Sequence, residues 1–139
     1  MSACLAGVRC SHDGKARVCG KVAELVRAGK AVYVCPEMLG GFPAPRERIE
    51  ISGGRAVTES GTDVTKEVMK GAREALGIAR RAGCRTAVLK ARSPSCGSGK
   101  IYYGTFSGKL TDGDGIFAAM LKKNGTRVLT DEEFASSKL

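Results

Sequence analysis

Thr86-Ala87-Val88-Leu89-Lys90-Ala91-Arg92-Ser93-Pro94-Ser95-Cys96-Gly97 reads as a buried strand that stops abruptly. The apolar run at its start has the length and composition of a strand. Pro94 cannot donate to a sheet ladder and pushes Ser93 toward an extended conformation. Gly97 and Gly99 remove side chains just where a cysteine is presented, so the segment exposes a thiol and backbone amides together. Ala31-Val32-Tyr33-Val34-Cys35-Pro36-Glu37 repeats the order of strand, cysteine and proline. A third cysteine, Cys4, precedes a Leu-Ala-Gly turn.

Between these strands the spacing predicts helices. One covers 16–28, with Val18, Val22, Leu25 and Val26 on one face and Gly29 as a stop. A longer one covers 62–81, with Val64, Val68, Ala72, Leu76 and Ala79 as its apolar stripe. A third covers 116–123, with Asp112 and Asp114 serving its N-terminus. The residues 38–45 read as irregular. Ile49-Glu50-Ile51 and Arg55-Ala56-Val57 flank Ser52-Gly53-Gly54 as a small hairpin, and 101–109 reads as irregular or a second short hairpin. Thr126-Arg127-Val128-Leu129 is a short strand, and Thr130-Asp131-Glu132-Glu133 matches a capping box for a final helix. Helices alternating with short buried strands argue for an α/β fold: a small Rossmann-like domain over 1–139, with a short, mainly parallel sheet, flanking helices and a small hairpin. Such sheets place ligands at the carboxyl ends of their strands. Cys35 and Cys96 lie just past strand ends, and Cys4 does too if a stub of strand precedes it, so the topology gathers three thiols.

With 139 residues there is chain for one substantial core. No apolar run is long enough to cross a bilayer. No charged segment precedes a long apolar stretch, so the cytoplasm is the expected compartment. Six cysteines in such a chain suit metal binding or catalysis better than a disulfide framework. The single histidine, His12, excludes a two-cysteine, two-histidine zinc site and reads as a loop residue. The net charge of +9 suits an anionic ligand such as a phosphate or nucleotide, although a solvated basic surface has the same composition. Seven aromatic residues with no tryptophan form no basic–aromatic motif, which argues against nucleic-acid binding by stacking.

Three thiolates select zinc, copper(I) or iron–sulfur clusters, whereas three structural cysteines would simply pack in the core. Several motifs stand here in one order: Ser2-Ala3-Cys4-Leu5-Ala6-Gly7, Cys35-Pro36-Glu37 with Gly40-Gly41, Asp63-Val64-Thr65, Ser93-Pro94-Ser95-Cys96-Gly97, and Gly104-Thr105-Phe106-Ser107-Gly108. Over nearly its whole length the chain resembles the bacterial and archaeal family that contains the thiouracil desulfidases. The resemblance implies a 4Fe–4S cluster on Cys4, Cys35 and Cys96. It implies non-redox, hydrolytic removal of sulfur from thiolated uracil or 4-thiouridine nucleotides, with release of sulfide. One departure is that family members usually carry a full strand ahead of the first motif, which is nearly absent here, with three residues before Cys4.

Beside such a cluster, Glu37 is the candidate acid or base, against a reading as a solvated loop glutamate. Ser93 is the candidate for orienting water or a substrate oxygen, against a turn serine that bonds its own backbone. Asp13 matches a loop position of the family and is a candidate substrate-binding residue. Lys100, with backbone amides at helix starts, is a candidate for holding a phosphate. Cys10, close to Cys4, is the reserve ligand, and Cys84 reads as core. The expected partner is a thiolated pyrimidine base or nucleotide. A non-catalytic iron–sulfur or zinc module, and an enzyme using Cys96 as nucleophile on an anionic substrate, are the alternatives.

Overall fold

Met1 and Ser2 lie between two strand edges in the computed structural model, which describes residues 1–137. The Val34 N–H donates to the Met1 carbonyl at 3.0 Å, the Ala3 N–H to Val34 at 2.8 Å, and the Ser2 N–H to Val88 at 3.0 Å. These two residues are the stub of strand that brings Cys4 to the sheet end.

Along the chain, a 3₁₀ turn covers Ala3–Ala6, followed by α1 (Gly20–Arg27), α2 (Pro36–Leu39), β1 (Ile49–Ser52), β2 (Arg55–Thr58) and α3 (Thr65–Arg81). Then come β3 (Thr86–Leu89), β4 (Lys100–Tyr102), β5 (Leu110–Asp112), α4 (Ile116–Lys123), β6 (Arg127–Thr130) and α5 (Asp131–Ser136). β3 and β6 pair in parallel from Thr86↔Arg127 to Leu89↔Thr130. The central layer therefore runs from Val34 through the stub to β3 and β6.

β3 shows why this is a two-sided layer. Ala87 and Leu89 enter one core with Ala72, Ala75, Phe117 and Leu121 of α3 and α4. Val88, pointing the other way, enters a second core with Leu5, Val22 and Phe134. A strand buried on both faces has to be apolar throughout, as the run Ala87-Val88-Leu89 is. Each fully buried side chain of the size of Leu5, Leu89 or Phe117 contributes about 1.5–3 kcal/mol. The β1–β2 hairpin makes a third, smaller core with Val68 on α3 and Val64 just before it. α2 packs on α3 at Gly71, where a Cβ would stand 1.9 Å from the Pro36 carbonyl oxygen. Only glycine permits that approach, and it fixes the turn that carries Cys35.

The expected α/β architecture, the hairpin, the span of β3 and α4, and the capping box at Thr130 and Glu133 are all observed. Five local expectations change. α3 begins at Thr65, not 62, because the Val64 N–H donates to the Ala56 carbonyl of β2 at 2.8 Å and holds Val64 outside the helix. The first helix begins at Gly20, not 16, because the Arg17 and Cys19 N–H groups donate to the Cys4 and Leu5 carbonyls, each at 2.9 Å, which needs extended backbone. Val18 is accordingly exposed. The strand over 31–34 reduces to one parallel bridge at Val34, since its neighbour is only two residues long. Part of 38–45 is helical, as α2 runs to Leu39. Asp114 does not cap α4; it accepts from the Gly99 N–H at 2.9 Å and from Lys122 at 2.8 Å, and Asp112 pairs with Lys100.

Candidate active site

The Cys96 loop is built by its own backbone and by the start of α4. Ser93 Oγ accepts from the Ser95 and Cys96 N–H groups at 3.1 and 3.0 Å, and the Gly97 N–H donates to the Ser93 carbonyl at 2.8 Å. A Cβ at Gly97 would stand 2.7 Å from that carbonyl oxygen, so the turn closes only on glycine. The N–H groups of Gly115, Ile116 and Phe117 donate to the carbonyls of Gly97, Pro94 and Ser95. The N-terminal amides of α4 are thus spent on the loop and do not form the anion site expected at a helix start. On the opposite side Ala91 N–H donates to Asp131 Oδ1 at 2.8 Å.

Cys35 caps the single turn α2, with Pro36 in its first position. Cys4 sits in the 3₁₀ turn. Cys4, Cys35 and Cys96, the three sequence-predicted ligands, line one cleft of about 470 Å³, within the range of small-molecule sites. Cys10 lines it too and is 2% exposed. The Cys35 thiol donates to the Cys10 carbonyl at 3.9 Å, and the neighbouring Cys35 and Cys4 sulfurs hold the Cys10 thiol protonated. The Cys10 thiol lowers Cys35 to about 6, with help from the Met38 N–H and the Arg46 charge. It lowers Cys4 as well, aided by Ser11 and Lys90. Burial instead raises Cys96 to about 12. Cys19 and Cys84 lie outside this cleft, and all six cysteines are free.

Among the described residues, no three of His, Cys, Asp and Glu are gathered tightly enough to hold a single metal ion. A zinc ion needs its donors converging within about 2.0–2.3 Å of one point. In a cubane each thiolate binds a different iron, so ligands spaced around a cavity suit it, and thiolate is the donor such clusters take. The set of Cys4, Cys35 and Cys96 fits that group.

Glu37 lines the cleft and receives the Arg46 Nε at 3.2 Å; their side chains are 12% and 6% exposed. This is a nearly buried ion pair, not a solvated loop glutamate. Ser93 also lines the cleft. Its oxygen already accepts two backbone N–H bonds, as a turn serine does, while the O–H remains a donor. Asp13 does not line the cleft; it holds Arg17, which does, at 2.6 Å. The hydrogen bond from Arg17 pulls Asp13 down to about 2. Lys100 lies outside, paired to Asp112 on the β4–β5 hairpin.

The basic groups that do face the cleft are Arg17, Arg46, Arg48, Lys90 and Arg92, against the carboxylates of Glu37 and Glu50. His12 joins them. None of these five cations is marked as a site residue by the sequence; four of them are Arg46, Arg48, Lys90 and Arg92. They lie in two short stretches, 46–48 and 90–92, far apart in the chain, and only the topology makes the two stretches neighbours. Each is oriented by a carboxylate: Arg48 by Glu59 at 2.6 Å, Lys90 by Asp131 at 3.4 Å, Arg92 by Glu132 at 2.8 Å, and Arg46 by Glu37.

A family model described as 2-thiouracil desulfurase matches residues 1–133. The uncharacterized protein YbbK of Bacillus subtilis (strain 168) is 46% identical over 143 residues, covering 96% of this chain and 95% of that one. Among solved structures, the [4Fe-4S]-dependent thiouracil desulfidase TudS superposes with a TM-score of 0.88 at 44% identity, covering 94% of this chain and 88% of that one.

Proposed function

The chain belongs to the 2-thiouracil desulfurase family, and we propose that it removes sulfur hydrolytically from the thiocarbonyl of a thiolated uracil, in the form of a 4-thiouridine nucleotide, and releases it as sulfide without net redox change. The observation that carries this reading is the convergence of Cys4, Cys35 and Cys96 on one cleft beside the buried Glu37–Arg46 pair. Those three cysteines would hold a 4Fe–4S cluster. When bound, such a cluster supplies an iron with no protein ligand, a Lewis acid for a thiocarbonyl sulfur.

The chain's own groups do the rest. Arg46 fixes the Glu37 carboxylate at the cleft wall, within a partly dry setting where it can take a proton from water adding to the ring carbon and return it to the departing sulfur. Ser93, its oxygen spent on the Cys96 loop, turns its O–H toward the cleft as a donor to a substrate oxygen or water. Lys90 and Arg46 favour the thiolate forms of Cys4 and Cys35. The excess of basic over acidic side chains around the cleft supports a phosphorylated substrate. Lys100 plays no part in this, and Asp13 acts through Arg17.

A cysteine-nucleophile enzyme is the competing reading, and the lowered Cys35 thiol is what favours it. Cys96, held protonated by burial, is poorly suited to that role. The test is sulfide release from 2-thiouracil and from 4-thiouridine monophosphate by anaerobically reconstituted protein and by protein stripped of iron. Turnover confined to the iron-loaded form supports desulfidation as proposed, and turnover that survives stripping supports the nucleophile.

A further inference from the structure

Glu50 is a buried carboxylate that this chemistry does not use. It is 5% exposed and belongs to β1, where Ile49 and Ile51 face the α3 core and Glu50 faces the other way. Its Oε1 accepts from the Gly104 and Phe106 N–H groups, each at 3.0 Å. These bonds hold the Gly104-Thr105-Phe106-Ser107-Gly108 loop on β1. Gly104 has φ +98°, and a Cβ there would stand 2.4 Å from the Ile51 carbonyl oxygen, so the loop lies flat on the strand. Arg48 sits over the Phe106 ring at 5.7 Å from its centroid. Gly108 and Tyr102, at either end of this segment, line the cleft together with Arg48 and Glu50.

Both loop bonds end on Oε1. Among the described residues Oε2 takes no hydrogen bond, and its carboxylate borders the cleft. A carboxylate in that position is an acceptor that lacks a donor. In a uracil nucleotide the phosphate has no strong donor to offer, the ring has its N–H, and the sugar has hydroxyls. Arg48 beside Glu50 suits the phosphate, and the thiols and Glu37 suit the reacting ring. The sugar lies between those two parts of the ligand. We propose that Glu50 is a specificity-determining residue that accepts a hydrogen bond from a ribose hydroxyl through Oε2, so that the site selects a ribonucleotide. This rests on the reading of the cleft as a thiouracil nucleotide site.

The test is calorimetric binding of the product-like nucleotide UMP to cluster-loaded protein, compared with its 2′-deoxy and 3′-deoxy analogues and with uracil. A hydrogen bond to a charged acceptor predicts UMP binding about tenfold to a hundredfold tighter than at least one deoxy analogue. Glu50→Gln keeps an oxygen for the two loop N–H groups but removes the charge. It should reduce the ratio to within about threefold while hydrogen exchange at Gly104 and Phe106 stays slow. Equal affinity for UMP and both deoxy analogues in the wild type overturns the proposal, and so does an unchanged ratio in Glu50→Gln. Should Glu50→Gln not fold, the wild-type comparison decides alone. A ring N–H as the true donor would show as uracil losing as much affinity from Glu50→Gln as UMP loses, and that result overturns the proposal. Failure of sulfide release from every thiolated substrate would reject desulfidation without touching the ribose ratio.

Discussion

The floor of the cleft and its rim are built by different means. On the floor, Cys4, Cys35 and Cys96 stand where backbone puts them: the end of the Met1–Ser2 stub, the cap of α2, and the turn docked on α4. Their places depend on strand order, on Gly71 and on Gly97, and hardly on what other side chains do. On the rim, Arg17, Arg48 and the Lys90–Arg92 pair are long side chains from three parts of the chain, each steered by one carboxylate. Exposed pairs of that kind contribute about 0–1 kcal/mol each. A floor of this type tolerates no substitution at its donors, whereas a rim of this type should degrade in small steps.

The sharpest way to break that contrast is to change a floor thiol. Cys35→Ser and Cys4→Ser should each lose the iron and leave less than about a hundredth of wild-type turnover, since even outer-shell partners of a metal site are worth 10–100-fold. Cys19→Ser and Cys84→Ser should keep both. Iron content by colorimetry and sulfide release by the same preparation check this, and a rim-like partial loss in Cys35→Ser would erase the distinction.

Glu37 lies between the two regions, a side chain held by a side chain but nearly buried. Glu37→Gln retains shape and most hydrogen bonding and should keep the visible absorbance of the cluster while turnover falls by roughly two to four orders of magnitude. Intact absorbance with unchanged turnover would move Glu37 to the rim class.

On the rim itself, Arg48→Ala should weaken 4-thiouridine monophosphate by about tenfold in KM, with much less change for 2-thiouracil, because charge-assisted contacts to a phosphate are worth on the order of 1.5–3 kcal/mol before solvent screening. Raising the salt concentration should narrow the difference between wild type and variant. The smallest effect belongs to Asp13→Asn, which frees Arg17 without removing it. About a twofold rise in KM for the nucleotide is expected. The pH dependence has a definite sign. Asp13 is held down to about 2, so its pairing with Arg17 is fully present above the ordinary carboxylate range and is lost only as the pH falls through about 2. Wild type and Asp13→Asn should therefore differ by a constant factor from pH 5 to 9.

The same division explains what could be read in the sequence. The floor was legible because β3 and the Ser93-Pro94-Ser95-Cys96-Gly97 turn are local: an apolar run, a proline and a glycine carry their own geometry. α4 and the Thr130–Glu133 capping box were legible for the same reason. Contacts distant in the chain were not. Residues 16–19 have a helical pattern but are pulled straight by the Cys4 and Leu5 carbonyls. Lys100 follows the Cys96 loop directly, yet β4 carries it away to Asp112, and Arg46 and Arg92 take up places at the cleft instead. Cys10 could be marked only for its nearness to Cys4; that it also meets Cys35, whose thiol reaches its carbonyl at 3.9 Å, depends on where Cys35 arrives. Ser93 was legible as a turn former, and the structure adds that the N–H it holds belongs to Cys96.

The most direct measurement is iron and acid-labile sulfide per chain, followed against sulfide release from thiouracil as iron is progressively removed from anaerobically reconstituted protein by a chelator. The expected result is about four iron and four sulfide per active chain, with the broad iron–thiolate absorbance, and turnover falling to zero in proportion to the iron lost. Turnover that persists once the iron is gone would contradict a cluster on Cys4, Cys35 and Cys96 as the centre of this site.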